Sequence, residues 1–365
     1  MLDKFARLLV DYCVEVKEGD LVHIDAGVEA ASLVKELVRE ILRRKARPIY
    51  TLGLDETGEY VYRYLEPEDI IKLYQPNDIS WAYINTPNKK IDIGSSYNTR
   101  AFSSVDPAKL AAFSQVMKPI SDRFMERISS GDLKWVFTHF PNHADAQEAG
   151  MPSSEYREFV FRAIKLHEKD PVKAWKKLRR TIRRYKRELD KVSTLEIESP
   201  TAHLKMSVRG RKWIVDGGEM NMPGGEVFTS PVEDSVEGWV KFTYPLVYFS
   251  NVVSGVEFRF EKGRIVEFDA EEGKHLLEKI LNIDEGARRL GEVAFGLNYD
   301  IDRFIKNALF DEKIGGTMHL AIGKAFPEAN GKNDSAIHID LVFDMKEGRV
   351  KADGKVIYEN GKFVI

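Results

Sequence analysis

The chain changes texture near residue 192, and that change restricts its fold more than any single motif does. Before it, apolar runs of strand length alternate with stretches of helical spacing. Leu21-Val22-His23-Ile24-Asp25 and Pro48-Ile49-Tyr50-Thr51-Leu52 read as strands. Between them Leu33, Val34, Leu37, Val38, Ile41 and Leu42 follow helical steps, and Arg43, Arg44 and Lys45 suit a helix C-terminus. Ile79-Ser80-Trp81-Ala82-Tyr83-Ile84 and Lys134-Trp135-Val136-Phe137-Thr138 supply two further predicted strands. Asp106 is placed to cap a long helix beginning at Pro107 and Ala108. Such alternation predicts an α/β, Rossmann-like, mostly parallel sheet covered by helices. After residue 192 short β runs follow one another, such as Leu195-Glu196-Ile197, Leu204 to Val208 and Val256 to Phe260. Turns such as Arg209-Gly210 and Glu261-Lys262-Gly263 separate them, which predicts an antiparallel-rich α+β domain.

The expected division is therefore 1–190, an α/β scaffold domain ending in a helical connector, and 191–365, the α+β catalytic domain. In the connector Val172, Trp175, Leu178, Ile182, Tyr185 and Leu189 form one apolar stripe. Its other face is basic, from Lys173 to Arg187. No nucleic-acid module surrounds it, so a solvated face is the expectation and nucleic-acid binding the less favoured reading. The α/β half also lacks a dinucleotide or nucleotide fingerprint. The turn after its first strand is Asp25-Ala26-Gly27-Val28-Glu29, with no G-x-G-x-x-G, and no G-x-x-x-x-G-K-[ST] occurs.

Bulk properties exclude several classes. A net charge of −3 creates no field that calls for nucleic acid or a membrane. No run reaches the length of a membrane span and no signal-peptide pattern opens the chain. The single cysteine, Cys13, lies in an apolar helical pattern and permits a reducing compartment. These points predict a cytoplasmic protein. A charged fraction of 31%, rich in Lys, Arg and Glu, leans toward a thermophilic source.

Every candidate ligand lies in the second domain. Ala336-Ile337-His338-Ile339-Asp340-Leu341-Val342 reads as a buried strand, and a strand repeats its facing every second residue. His338 and Asp340 must then point the same way, as ligands to a divalent metal do. A supporting His–Asp pair is the plainer alternative. Three further polar islands accompany them. Pro223-Gly224-Gly225-Glu226 sets Glu226 on a restricted turn, Gly291-Glu292-Val293-Ala294 sets Glu292 in an apolar run, and His319 opens Leu320-Ala321-Ile322-Gly323. A solvated Glu226 and a satisfied core His319 are the plainer readings of those two. Together the islands give two imidazoles and three carboxylates. That set suits two borderline divalent ions sharing one carboxylate, held about 3.5–4 Å apart.

In that order the motifs resemble those of the M29 family of metallo-aminopeptidases. The stretch Ala149-Gly150-Met151-Pro152-Ser153 is similar to that family as well. The resemblance runs over most of the chain. It implies a co-catalytic dimetal exopeptidase that removes N-terminal residues from short peptides, supported by zinc, cobalt or manganese. It implies a homodimer with active sites facing an internal cavity. Residue by residue, Glu226, Glu292, His319, His338 and Asp340 match the metal-binding positions, with Glu292 bridging. Glu226 is expected either to carry the proton or to contact the substrate amine. One position departs: the family's tyrosine in a Gly-x-Ala-Tyr-Pro context is Phe326 here, in Gly323-Lys324-Ala325-Phe326-Pro327. Tyr299 is the phenol considered as its substitute. A dimetal phosphohydrolase and a non-enzymatic scaffold with a degenerate metal site are the rival readings, although only Lys324 and Lys332 lie near the islands as phosphate-pairing cations.

Overall fold

A computed structural model describes residues 1–248 and 251–365. The chain forms two compact units. The first comprises residues 1–172 and 219–222, and the second residues 173–218 and 223–365.

The first unit is built on a five-stranded parallel sheet. Its order is Arg47–Gly53, Leu21–Gly27, Lys89–Gly94, Lys134–His139, Asn221–Met222. The helix Ala31–Arg43 buries Leu33, Val34, Leu37 and Ile41, four of the six positions that the helical spacing picked out. The helix Pro107–Ser130 starts where Asp106 accepts the Ala108 N–H, and it stops at Gly131, whose φ of 80° suits a glycine C-cap. Ile79–Ile84 is a correction: it lies in a helix, Asp78–Asn85. Asn77 Oδ1 accepts the N–H groups of Ile79 (3.0 Å) and Ser80 (3.1 Å), so a side-chain cap overrides an aromatic, strand-like composition. The third parallel strand is Lys89–Gly94, whose Lys89, Lys90 and Asp92 masked its period-2 pattern. Cys13 is buried and takes part in no disulfide.

The second unit holds an eight-stranded and a five-stranded antiparallel sheet. The connector is the helix Pro171–Leu189, and its Ile182 and Leu189 lie in the core of this second unit. Of its basic side chains, Lys176, Lys177, Arg180 and Arg183 are exposed. The five-stranded sheet runs His338–Asp344, Thr317–Gly323, Leu290–Gly296, Glu226–Thr229, Ile214–Asp216. One face of it carries Val227, Val293, Phe295, Leu320, Ile322, Leu341 and Phe343 into the core. That same core takes in Leu195, Ile197, Leu204, Val240 and Phe258 from the eight-stranded sheet. Period-2 alternation therefore leaves the opposite face of the central three strands for other side chains. Among the described residues no helix is long and apolar enough to cross a membrane.

Candidate metal centre

Strand register assembles the site. Glu292 pairs with Ala321, and Ala321 pairs with Asp340. His319 pairs with Ala294, His338 with Gly323, and Glu226 with both Gly296 and Asp216. Directly paired residues share a sheet face, as do residues two apart along a strand. Glu226, Glu292, His319, His338 and Asp340 thus all rise from the face opposite the core. The positions between them on that face are Ala294, Ala321, Gly296 and Gly323. Their small side chains leave room above the sheet that leucine or phenylalanine would fill.

Two glycines set the outer ligands. Gly225 has φ of +119°, which side chains other than hydrogen rarely adopt, and its N–H donates to the Asp216 carbonyl at 2.9 Å just before Glu226. Gly291 lies where the pairing register shifts by one residue ahead of Glu292. A Cβ there would sit 2.3 Å from the Lys324 carbonyl oxygen, so glycine is what lets that carbonyl approach. The same carbonyl accepts the Nδ1–H of His338 at 2.7 Å. His319 is held likewise, its Nδ1 3.0 Å from the Glu312 carbonyl. A carbonyl only accepts, so in both rings Nδ1 carries the proton and Nε2 is turned to the site.

The carboxylates meet those Nε2 atoms. Glu292 divides its oxygens, Oε1 lying 3.3 Å from His319 and Oε2 3.2 Å from His338. Glu226 Oε2 is 3.6 Å from His319 Nε2, and Asp340 Oδ1 is 3.6 Å from His338 and 3.9 Å from His319. Two sets result, Glu226–Glu292–His319 and Glu292–His338–Asp340, each with its donor atoms within 4.8 Å of one another. Both could hold a metal ion, and Glu292 belongs to both. Glu226 Oε2 is buried without a hydrogen-bond partner among the described residues, which is costly unless a cation meets it. The donor chemistry of nitrogen and carboxylate oxygen fits borderline divalent ions.

Protonation follows from this packing. Burial disfavours charge on both imidazoles, yet Glu292 and the neighbouring acids override it. His319 is pushed up to about 10 and His338 to about 11. Burial also works against the Asp340 anion, but the His338 hydrogen bond holds that carboxyl well below the usual range. Glu292 is lowered against its burial by hydrogen bonds from both rings. Burial drives Glu226 well above the ordinary glutamate value. The metal-free centre therefore holds protons where cations would bind.

Three charged groups in the site escaped the sequence reading. Lys313 is wholly buried, its Nζ 3.5 Å from Glu226 Oε1 and 3.6 Å from Asp216 Oδ2, and it also pairs with Glu312. Those three carboxylates hold its ammonium charged despite burial. A signal existed: Asp311-Glu312-Lys313 is a charge cluster set directly between Leu309-Phe310 and Ile314. Asp216 ends a strand paired with that of Glu226. Lys324, which the sequence reading placed nearby, contributes its carbonyl to His338, and Lys332 donates its backbone N–H to Glu233.

Phe326 stands at the centre, its ring 4.7 Å from that of His338 and 5.3 Å from that of Phe228. Tyr299 is not its substitute. Its hydroxyl donates to the Gly361 carbonyl at 2.7 Å, so that phenol is committed elsewhere.

A sheet face with two imidazoles and three carboxylates in overlapping sets has the chemistry of the metal-dependent hydrolases. The family model for thermophilic metalloproteases, Peptidase_M29, matches residues 1–363, and the chain belongs to that family. It is a metallopeptidase. Relatives align end to end. Aminopeptidase 2 of Geobacillus stearothermophilus is 28% identical, covering 97% of this chain and 95% of its own length. Aminopeptidase T of Thermus thermophilus is 27% identical over 99% of this chain and 95% of its own. The solved structure of wild-type AmpT from Thermus thermophilus superposes with a TM-score of 0.84 at 25% identity, covering 100% of this chain and 99% of that one. The phosphohydrolase and scaffold readings are disfavoured by this membership.

Proposed function

We propose that the protein is an aminopeptidase releasing N-terminal residues from short peptides at a co-catalytic centre of two divalent ions. The observation that carries this reading is Glu292, whose two carboxylate oxygens each face a different imidazole Nε2 at 3.2–3.3 Å. Glu226 and His319 would hold one ion, His338 and Asp340 the other, and Glu292 both. Bound there, zinc, cobalt or manganese would supply Lewis-acid polarisation of the scissile carbonyl and a water acidified toward hydroxide.

The residues of the chain supply the rest. The Glu312 and Lys324 carbonyls fix both imidazole tautomers, so Nε2 is presented without side-chain motion. Glu226, whose Oε2 faces the site while Oε1 faces Lys313, would accept the proton of the attacking water and return it to the departing amine. Lys313 steadies Glu226 from the far side through Oε1. Phe326 gives the pocket an apolar wall against His338 and offers no hydroxyl to the developing oxyanion.

The proposal extends to a homodimer in a reducing, cytoplasmic compartment, which suits the buried Cys13 thiol, and to a thermophilic source. Turnover of an aminoacyl-anilide tests the function. Activity should vanish on chelation, return with zinc, cobalt or manganese, and be absent on the N-acetylated substrate. Turnover retained in a His338→Ala, Asp340→Ala variant would remove the mechanism.

A further inference from the structure

The first unit carries a second polar concavity, whose lining includes no residue of the metal centre. Where helices cover a parallel sheet, the covered face is normally apolar. Here it is not. His23 and Asp25 on one strand, Thr51 on the next, and Lys90 and Asp92 on the third share one sheet face by register. The helix Asp78–Asn85 and the helix Pro107–Ser130 flank them, leaving an open cavity of about 360 Å³. Tyr83, Ile84, Met117, Ile120 and Phe124 form its apolar walls. That volume is in the range of small-molecule sites, which also pair apolar walls with a few convergent polar groups.

The hydrogen bonds on the floor run in one direction. Thr51 Oγ1 donates to Asp25 Oδ1 at 2.6 Å. The hydroxyl proton is thereby used, so His23 Nε2, 3.2 Å away, must donate to Thr51. His23 Nδ1 is then a bare acceptor. It is buried and has no hydrogen-bond partner among the described residues, although the His23 side chain lines the cavity and stacks on Tyr83 at 4.9 Å. Burial and the Lys90 charge keep this imidazole neutral. Lys90 pairs with Asp92 and lies 3.7 Å from Asp25 Oδ2, while the Trp135 indole donates to Asp92 at 2.7 Å. Two carboxylates against one ammonium leave the floor with one net negative charge. The Asp25 side chain, 50% exposed, is the one still open.

We propose that this cavity binds a small organic ammonium with an apolar body, its charged nitrogen at Asp25 and His23 Nδ1 and its body against Tyr83 and Phe124. An anion of the same shape would meet the net negative charge left after Lys90 and an acceptor nitrogen, and is rejected. The site is independent of the peptidase reading, since none of its residues belongs to the metal centre.

Calorimetric titration of the full-length, metal-loaded protein with 2-phenylethylamine tests it, with phenylacetate as the anionic counterpart. The amine should bind saturably at one site per chain and phenylacetate should not. Asp25→Asn keeps the shape and removes the charge, so it should weaken binding about tenfold or more. Ser121→Trp, at the lining of the cavity, should abolish it, and both variants should keep wild-type turnover. The proposal is overturned if the amine shows no saturable binding up to about 10 mM. Equal binding of phenylacetate, or amine affinity unchanged in Asp25→Asn, overturns it too, since the amine then sits elsewhere, the metal centre included.

Discussion

Replacing Glu292 by glutamine changes one atom and strikes both halves of the centre. In the metal-free protein the buried Glu292 carboxylate receives both imidazolium rings, at 3.3 and 3.2 Å. Each such charge-assisted bond contributes about 1.5–3 kcal/mol, so losing both sets a ceiling of about 3–6 kcal/mol. Part of that is recovered, because an imidazole without its counter-ion can release its proton. Breaking a buried pair typically costs about 3–5 kcal/mol, and the lower end is expected here. The amide nitrogen, now a donor, also faces one Nε2 and cannot accept from it. In the metal-loaded protein the loss falls on both donor sets at once, so bound metal should drop from two ions per chain to fewer than one after gentle dialysis. Urea unfolding in the presence of a chelator measures the first effect, and elemental analysis the second. A Glu292→Gln protein within about 1 kcal/mol of wild type that still retains two ions would refute the bridging role.

Four other expectations follow from the same geometry. His319 and His338, raised to about 10 and about 11, both hold protons near neutrality without metal. Metal binding at pH 7 should therefore release at least two protons, seen as a dependence of calorimetric enthalpy on buffer ionisation, and affinity should fall as pH falls. With a raised folded value, each imidazole stabilises the metal-free protein fully below about pH 6.5, and that contribution fades as pH rises toward 10–11. Melting temperature against pH with chelator present reads this, and a metal-free protein that gains stability from pH 8 to 10 would contradict it. Lys313→Met should destabilise by about 3–5 kcal/mol, since Glu226, Asp216 and Glu312 lose their buried cation, and a denaturant series on the purified variant checks it. Phe326→Tyr, beside His338, should raise kcat about tenfold with little change in KM, and an unchanged or lower kcat would show that the apolar ring is the functional group there.

Much of this was legible in the chain because strands display their facing in period 2. The His338-x-Asp340 pair and the flanking Ile339 and Leu341 sort onto opposite faces as the alternation requires. The helix over Leu33 to Leu42 and the Asp106 cap were readable for the same local reasons. Ile79–Ile84 was not, because a side-chain cap at Asn77 outweighs the β-leaning composition of Trp81, Tyr83 and the two isoleucines. Nor was the third strand, where Lys90 and Asp92 serve the polar floor of a cavity rather than solvent and Lys89 turns to Asp20 on the other face. At the metal centre the sequence displayed the ligands but not their neighbours. Lys313 looks like any surface lysine until folding surrounds it with three carboxylates that lie far apart in the chain or beside it. The convergence of Glu226 with Glu292 is equally nonlocal, since it depends on the strand pairing of Gly296 with Glu226.

Anomalous diffraction from crystals soaked in zinc, collected on either side of the zinc edge, addresses the centre directly. Two peaks about 3.5–4 Å apart are expected, one beside Glu226 and His319 and one beside His338 and Asp340, with Glu292 between them. A single peak, or zinc lying away from Glu292, would contradict the shared-carboxylate centre on which the peptidase mechanism rests.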